Sequence, residues 1–178
     1  MKVLLIGTVV KDIIKYLDGT EVYAYGGLTH SINAALAVSD PGDRIIAMSW
    51  VGKDLYPDIQ RNWQDNPRLL NEGFLRYSRI NNCVELSYIS KSERIERSLY
   101  PMPSLRFKDV KRFLNADMII VNLISGWDIT RKFIEKLREK FKGLISLDIH
   151  SLTLGRAEDG TRFLRPVNEI KPWLESAD

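Results

Sequence analysis

Cysteine is almost absent from this sequence: Cys83 is the only one in 178 residues. A lone thiol excludes an internal disulfide and a zinc site built from cysteines. Histidine is nearly as scarce, with only His30 and His150, and neither sits at a spacing that pairs it with a nucleophile. No apolar run approaches the roughly 20 residues that a membrane-spanning helix needs. The first such run, Val3 to Ile6, is cut by Gly7 and is too short for the apolar region of a secretory leader. The expectation is a cytoplasmic chain with no membrane partner. An excess of one charge is also lacking. The 26 basic and 23 acidic residues are spread along the whole chain, which describes a mixed solvated surface and gives no footprint for nucleic acid. Neither Walker A nor Gly-x-Gly-x-x-Gly occurs.

What is present is a hydrophobic content of 44% with four tryptophans, enough at this length for one α/β domain with a proper core. The chain is organised around Tyr25 to Asp54. Gly26-Gly27 opens a small-residue helix, where glycine lets a ligand or another chain approach unpaired helix N–H groups. The same pair also suits a tight strand-to-helix connection with no ligand. Ala34, Ala35 and Ala37 are expected to bring that helix close to a sheet, and Arg44 to Ser49 reads as a buried strand. Val51-Gly52-Lys53-Asp54 then makes a second glycine turn ending in a carboxylate.

Val3 to Ile6 is predicted as a buried parallel strand. Tyr16-Leu17, Asp18-Gly19 and Thr20 to Tyr25 predict a hairpin with a two-residue turn, which fits a lid or an ordinary sheet edge. Asp54 to Trp63 has the spacing of a short helix led by Asp54. Gly73 to Tyr77, Cys83 to Ile89 and Glu96 to Tyr100 alternate like strands and, with the hairpin, are expected to form a small separate sheet. The lid strands then fall at about 15–25 and 73–100. From Phe107 helix and strand alternate: a turn or two at Lys108 to Leu114, a strand at Met118 to Val121, an amphipathic helix from Thr130 to Phe141 stopped by Gly143, and a strand from Leu144 to Ile149. Such units force a parallel sheet with right-handed crossovers. Ligands of these sheets bind at the carboxyl ends of the strands, which places Asn122, Asp148 and His150 on one rim with Gly7 and Gly26. The segment Ser151 to Pro166 adds Arg156, Arg162 and Arg165 as either phosphate ligands or a solvated basic loop.

Taken in order, Gly7 and Asp12 after the first strand, Gly26-Gly27 before the alanine-rich helix and Val51-Gly52-Lys53-Asp54 resemble the N-terminal half of the ribokinase (PfkB) family of sugar and nucleoside kinases. The resemblance implies a three-layer, Rossmann-like parallel sheet with a small β lid, lacking its C-terminal part. It also implies a sugar, polyol or nucleoside substrate held by Asp12, Gly26 and Gly27, with Ser31, Asn33 and Asp54 beside them. Ser31 stands where the family usually has Asn, and Tyr56-Pro57 where it commonly has a glycine. Family members use ATP and magnesium, carry an Asp after the strand that ends at Asp148, and have an Arg downstream, here Arg156 or Arg162. They often dimerise through the lid sheet, so a homodimer is expected.

The Gly-x-Gly-Asp motif, which supplies that family's catalytic base and anion hole, does not occur in these 178 residues. Ala116-Asp117 precedes a strand, and Ala177-Asp178 repeats the pattern, which gives the expectation that a further strand belongs after Asp178. Three readings result. The chain is the substrate half of such a kinase, inactive by itself; or a non-catalytic binding or assembly module with the same fold; or an unrelated α/β enzyme using Asp148 and His150.

Overall fold

The computed structural model describes residues 1–178. β1 (Lys2–Ile6) leads into a hairpin of β2 (Val9–Lys15) and β3 (Glu21–Gly27), after which α1 (Leu28–Val38) and β4 (Arg44–Gly52) return the chain to the side of β1. α2 (Tyr56–Trp63), the short β5 (Leu69–Leu70) and β6 (Phe74–Tyr77), and the pair β7 (Cys83–Tyr88) and β8 (Arg94–Ser98) follow. The remainder runs α3 (Phe107–Val110), β9 (Met118–Asn122), α4 (Arg131–Lys140), β10 (Leu144–Asp148), a small hairpin of β11 (Leu154–Arg156) and β12 (Arg162–Leu164), and α5 (Lys171–Leu174).

Apolar runs without alternation make the central sheet. Its order is β10-β9-β1-β4, with β5 and β6 both alongside β4, and every pairing is parallel. Leu4 and Ile6 face α4, whose Phe133, Ile134 and Leu137 fall on one side of the helix and are buried. The N-cap Thr130 accepts the Phe133 N–H at 3.2 Å, which fixes where that helix begins. Val3 and Leu5 face α1 and α2 through Leu28, Ile32, Leu36, Ile59 and Trp63. Each such side chain contributes about 1.5–3 kcal/mol by leaving water.

The two layers are unequal. α1 and α2 cover β1 and β4, but Leu144, Ser146 and Asp148 of β10 remain exposed on that face. A groove of about 490 Å3, lined by Ala34, Ala35, Val38, Met118 and Ile120, runs beside α1. Of the three alanines predicted to press the helix onto the sheet, only the half-buried Ala35 packs against the core; Ala34 and Ala35 line this groove and Ala37 is exposed, because Leu28, Ile32 and Leu36 take the buried side of α1.

β3-β2-β7-β8 form the separate lid sheet, with β2 and β7 parallel and the outer pairs antiparallel. Several boundaries differ from expectation. The first lid arm is Val9–Lys15, placing Asp12 within a strand and not in a loop, and the turn spans Tyr16 to Thr20, closed by the Tyr16 N–H on the Thr20 carbonyl at 2.9 Å. Val9-Val10 and Ile13-Ile14 are paired apolar residues, so strict alternation missed this strand. Phe74–Tyr77 pairs with β4 and belongs to the central sheet, not to the lid. α2 begins at Tyr56, and Asp54 does not cap it; its Oδ1 accepts the Asn81 N–H at 2.8 Å. α4 ends with Phe141 in extended backbone, two residues before Gly143. The segment Ser151 to Pro166 is not a loop but contains the β11–β12 hairpin, docked on the lid by the Ser98 N–H to the Gly160 carbonyl at 2.9 Å.

The parallel between Ala116-Asp117 and Ala177-Asp178 has a geometric counterpart. The Asp117 N–H donates to the Lys2 carbonyl at 2.8 Å and its carboxylate accepts the Lys2 N–H at 2.6 Å. Asp178 holds Ile145 of β10 in the same way, at 3.0 and 2.9 Å.

Candidate functional site

The lid faces the carboxyl-end rim of the central sheet through the alternate residues of its strands. Asp12 stands opposite Ala24 of β3 and Val84 of β7, and Val84 opposite Ser98 of β8, so these four share one face. Gly26 lies diagonally beside Asp12, and a Cβ there would stand 2.0 Å from Asp12 Oδ2. Glycine is therefore what leaves room for the carboxylate. Burial, the largest effect, raises the Asp12 pKa to about 6; the charge of Glu96 adds to the rise, and those of His30 and Arg94 oppose it.

Glu96 is two residues from Ser98 on the same lid face, a position with no motif or spacing in the sequence to single it out. Arg162 reaches it from β12, with Nε 3.8 Å from Glu96 Oε1. The Arg162 side chain is only 3% exposed; its guanidinium lies over the Trp127 ring at 4.9 Å and donates from Nη2 to the Ser125 carbonyl at 2.7 Å. Its Nη1 is buried without a partner. Burial lowers the Arg162 pKa.

Beneath the lid, Gly27 caps α1 at φ 61°, a backbone angle that favours glycine. No side chain caps the helix; the Leu28 N–H donates to the Thr8 carbonyl at 3.0 Å. One turn on, Ser31 Oγ accepts from Asn122 Nδ2 at 3.0 Å, joining α1 to the end of β9. Asn122 Oδ1 is buried without a partner. Asp148 is the strand neighbour of Asn122, and its Oδ1 lies 2.9 Å from His150 Nδ1 while also accepting the His150 N–H at 2.9 Å. Both of these side chains are at least half exposed.

Asp12, Gly26 and Gly27 are thus brought together, with Ser31 and Asn122 joined on the rim and Asp148 and His150 at its solvent-facing end. Asn33 turns away, its Oδ1 accepting from Trp63 Nε1 at 3.3 Å. Asp54 is occupied by Asn81, and Arg156 Nε donates to the Ser98 carbonyl at 2.7 Å, holding the lid edge. Two further residues organise the site without a sequence signal. Asp128 is 2% exposed and accepts from Thr8 Oγ1, Ser125 N and Oγ, and Gly126 N. Asn81, 1% exposed, accepts the Gly52 N–H at 2.8 Å and donates to the Val9 carbonyl at 2.9 Å, making the hinge between lid and central sheet.

No protein-family model and no curated protein matches the sequence. Solved structures do match. A pyrophosphate-dependent kinase in the ribokinase family, in a sulfate complex, superposes on all of this chain with a TM-score of 0.79 at 18% identity, the match covering 60% of that kinase. An uncharacterized sugar kinase from Pyrococcus horikoshii in complex with ATP gives 0.61 at 16% identity, over 84% of this chain and 53% of its own. Fructokinase from Xylella fastidiosa with bound ATP gives 0.62 at 15%, over 83% and 48%. The chain spans about three fifths of the length of the first of these and about half of the others. It carries the fold of the ribokinase family throughout its length.

Proposed function

We propose that this chain is the acceptor-binding part of a ribokinase-like phosphotransferase, holding a sugar, polyol or nucleoside beneath the lid. The observation that carries this reading is the Asp12 carboxylate, seated against Gly26 on the lid face that overlooks the strand-end rim. Ionised, it accepts hydrogen bonds from hydroxyl groups; Ser31 Oγ and the free Asn122 Oδ1 provide further polar positions across the rim. Relatives in fold support the acceptor class: one is a pyrophosphate-dependent kinase complexed with a pyrophosphate analog and myo-inositol, and others are sugar kinases. The donor inferred from the resemblance is ATP with magnesium, and pyrophosphate stands beside it because of the first structures matched.

Within these 178 residues the donor side does not fit that chemistry. No three carboxylate, histidine or cysteine side chains gather to hold a metal ion, and Gly-x-Gly-Asp is absent. Phosphoryl transfer needs a positioned base, metal and anion cradle together, so no transfer step is derived for this chain. The same observation favours a second reading, a binding module with the kinase fold that does no chemistry.

Calorimetric titration with myo-inositol, fructose, ribose and adenosine tests the reading. Saturable binding of one of them, weakened by Asp12→Asn, is expected; no binding of any would overturn it. Turnover assays with magnesium-ATP and magnesium-pyrophosphate are expected to give no product from the 178-residue chain. Robust turnover would mean that its chemistry has been misplaced and would bring Asp148 and His150 forward.

A further inference from the structure

Behind the hinge lies a second cavity of about 490 Å3 whose lining includes Lys53, Tyr77, Ser78, Arg79, Ile80 and Tyr100, and no acidic residue. It does not belong to the acceptor face. Ser98 shares that face with Asp12, and Leu99, the residue after β8, continues the register by donating its N–H to the Cys83 carbonyl, so that it falls on the opposite side of the lid, where it lines the cavity. The floor is built from backbone: the Lys53 N–H donates to the Arg79 carbonyl at 3.0 Å, and the Leu99 N–H to the Cys83 carbonyl at 2.9 Å. Asn81 holds the adjoining Gly52 and Asp54.

The side chains here are uncommitted. The ion pairs of the molecule involve neither Lys53 nor Arg79. The nearest acid in sequence, Asp54, is engaged by the Asn81 N–H. Ile80 and Tyr100 remain 46% and 47% exposed although both lie on the cavity wall, and Tyr77 adds a second ring. Two free cations suit a doubly charged anion, two phenol rings and an isoleucine suit a flat apolar body, and the volume is that of a small-molecule site.

The geometry points to a binding site for an aromatic phosphate monoester of nucleoside monophosphate size at the lid hinge, separate from the acceptor site. Because its walls come from both Lys53 beside β4 and Leu99 to Tyr100 beside β8, a ligand here bridges the central sheet and the lid.

The test is calorimetric titration of the full chain with AMP, adenosine and inorganic phosphate, the fold of each variant being checked by circular dichroism. AMP is expected to saturate, with adenosine and phosphate each about tenfold weaker or more. The double variant Lys53→Ala/Arg79→Ala is expected to weaken AMP at least about tenfold, while Asp12→Asn leaves it unchanged. No saturable AMP binding at millimolar concentration overturns the proposal, as does an AMP affinity that the double variant does not alter or that phosphate alone matches. Loss of AMP binding in Asp12→Asn would place AMP at the acceptor face and would equally overturn it. Failure of this site leaves the acceptor reading standing, since that rests on sugar and polyol titrations and on Asp12.

Discussion

Leu4, Leu5 and Ile6 of β1 are at most 1% exposed, whereas in β8 only Ser98 is buried and Arg94, Ile95 and Arg97 face solvent. The two sheets of this molecule thus do different work. The central sheet buries apolar side chains on both faces of β1 and β4, so it defines the fold and contributes most of the stability. The lid has polar and charged side chains on both faces, tied by pairs such as Lys15–Glu85 at 2.5 Å and by the hinge at Asn81. A sheet that costs so little to disturb is free to carry the half-buried Asp12 carboxylate, to which the proposed function assigns binding. Stability thus resides in the parallel strands, and the proposed function places specificity in the lid.

The largest expected effect sharpens that division. Ile134→Ala, at a fully buried position between α4 and the central sheet, is expected to lower unfolding free energy by about 2–5 kcal/mol. Ile95→Ala in the lid, 44% exposed, should stay within about 0.5 kcal/mol. Urea unfolding of both variants is the measurement, and comparable losses would break the contrast.

Next in size is an effect on binding. Asp12→Asn is expected to weaken the acceptor by about 10- to 100-fold, the loss of charge-assisted hydrogen bonds. Gly26→Ala should mimic it while leaving the central core intact, because the new methyl would occupy the place of Asp12 Oδ2. Titration of each variant against the same acceptor checks this; wild-type affinity in Gly26→Ala would show that the carboxylate is not held where the ligand binds.

Most of the central sheet was legible in the sequence because its strands are uninterrupted apolar runs and its α4 a clear stripe at helical spacing. The lid was legible only in part. β2 carries Val9-Val10 and Ile13-Ile14 in adjacent pairs, and β6 looks like a lid strand until its partner is known, since four residues hold no record of which sheet they join. At the site, the glycine pair and Asp12 stood out by type and order. Glu96, Asn81 and Asp128 did not, because each owes its place to a partner far along the chain: Arg162, Val9 and Thr8. Asn33 and Asp54 had the right chemistry, but Trp63 of α2 and the Asn81 N–H, both distant in sequence, claimed them.

The pKa of Asp12 allows a finer separation of lid from core. The carboxyl titrates at about 6 in the folded chain, above its ordinary value of 3.8. The folded state therefore favours the protonated form, and this contribution to stability is fully present below the ordinary value and lost as pH rises through about 6. Relative to Asp12→Asn, the wild type should lose about 1–2 kcal/mol between pH 4 and pH 7, solvent screening being allowed for. Acceptor affinity should run the opposite way, falling about tenfold from pH 7 to pH 5 as the carboxylate is neutralised, with no such slope in Asp12→Asn. Thermal unfolding and titration across that range measure both, and parallel trends would deny Asp12 its role.

The smallest expected change in stability belongs to the outer lid face, where a homodimer is proposed to form. Tyr23 is 61% exposed, Ile95 44%, and β3 ends the lid sheet with no neighbouring strand, whereas β8 is partly covered by the bridge from Arg97 to Thr161. A free strand edge beside exposed apolar side chains recruits another such edge, and a second copy of the chain offers the same surface by two-fold symmetry. Tyr23→Lys with Ile95→Lys should leave the unfolding free energy of the protomer within about 0.5 kcal/mol of wild type yet shift the mass seen in sedimentation from dimer to monomer. If the wild type is already a monomer at high micromolar concentration, the lid is not an assembly surface and its exposed aromatics are part of an ordinary solvated face. If instead the doubly substituted chain remains dimeric, the contact lies on the central sheet, and the apolar groove beside α1 becomes the place to introduce the next charge.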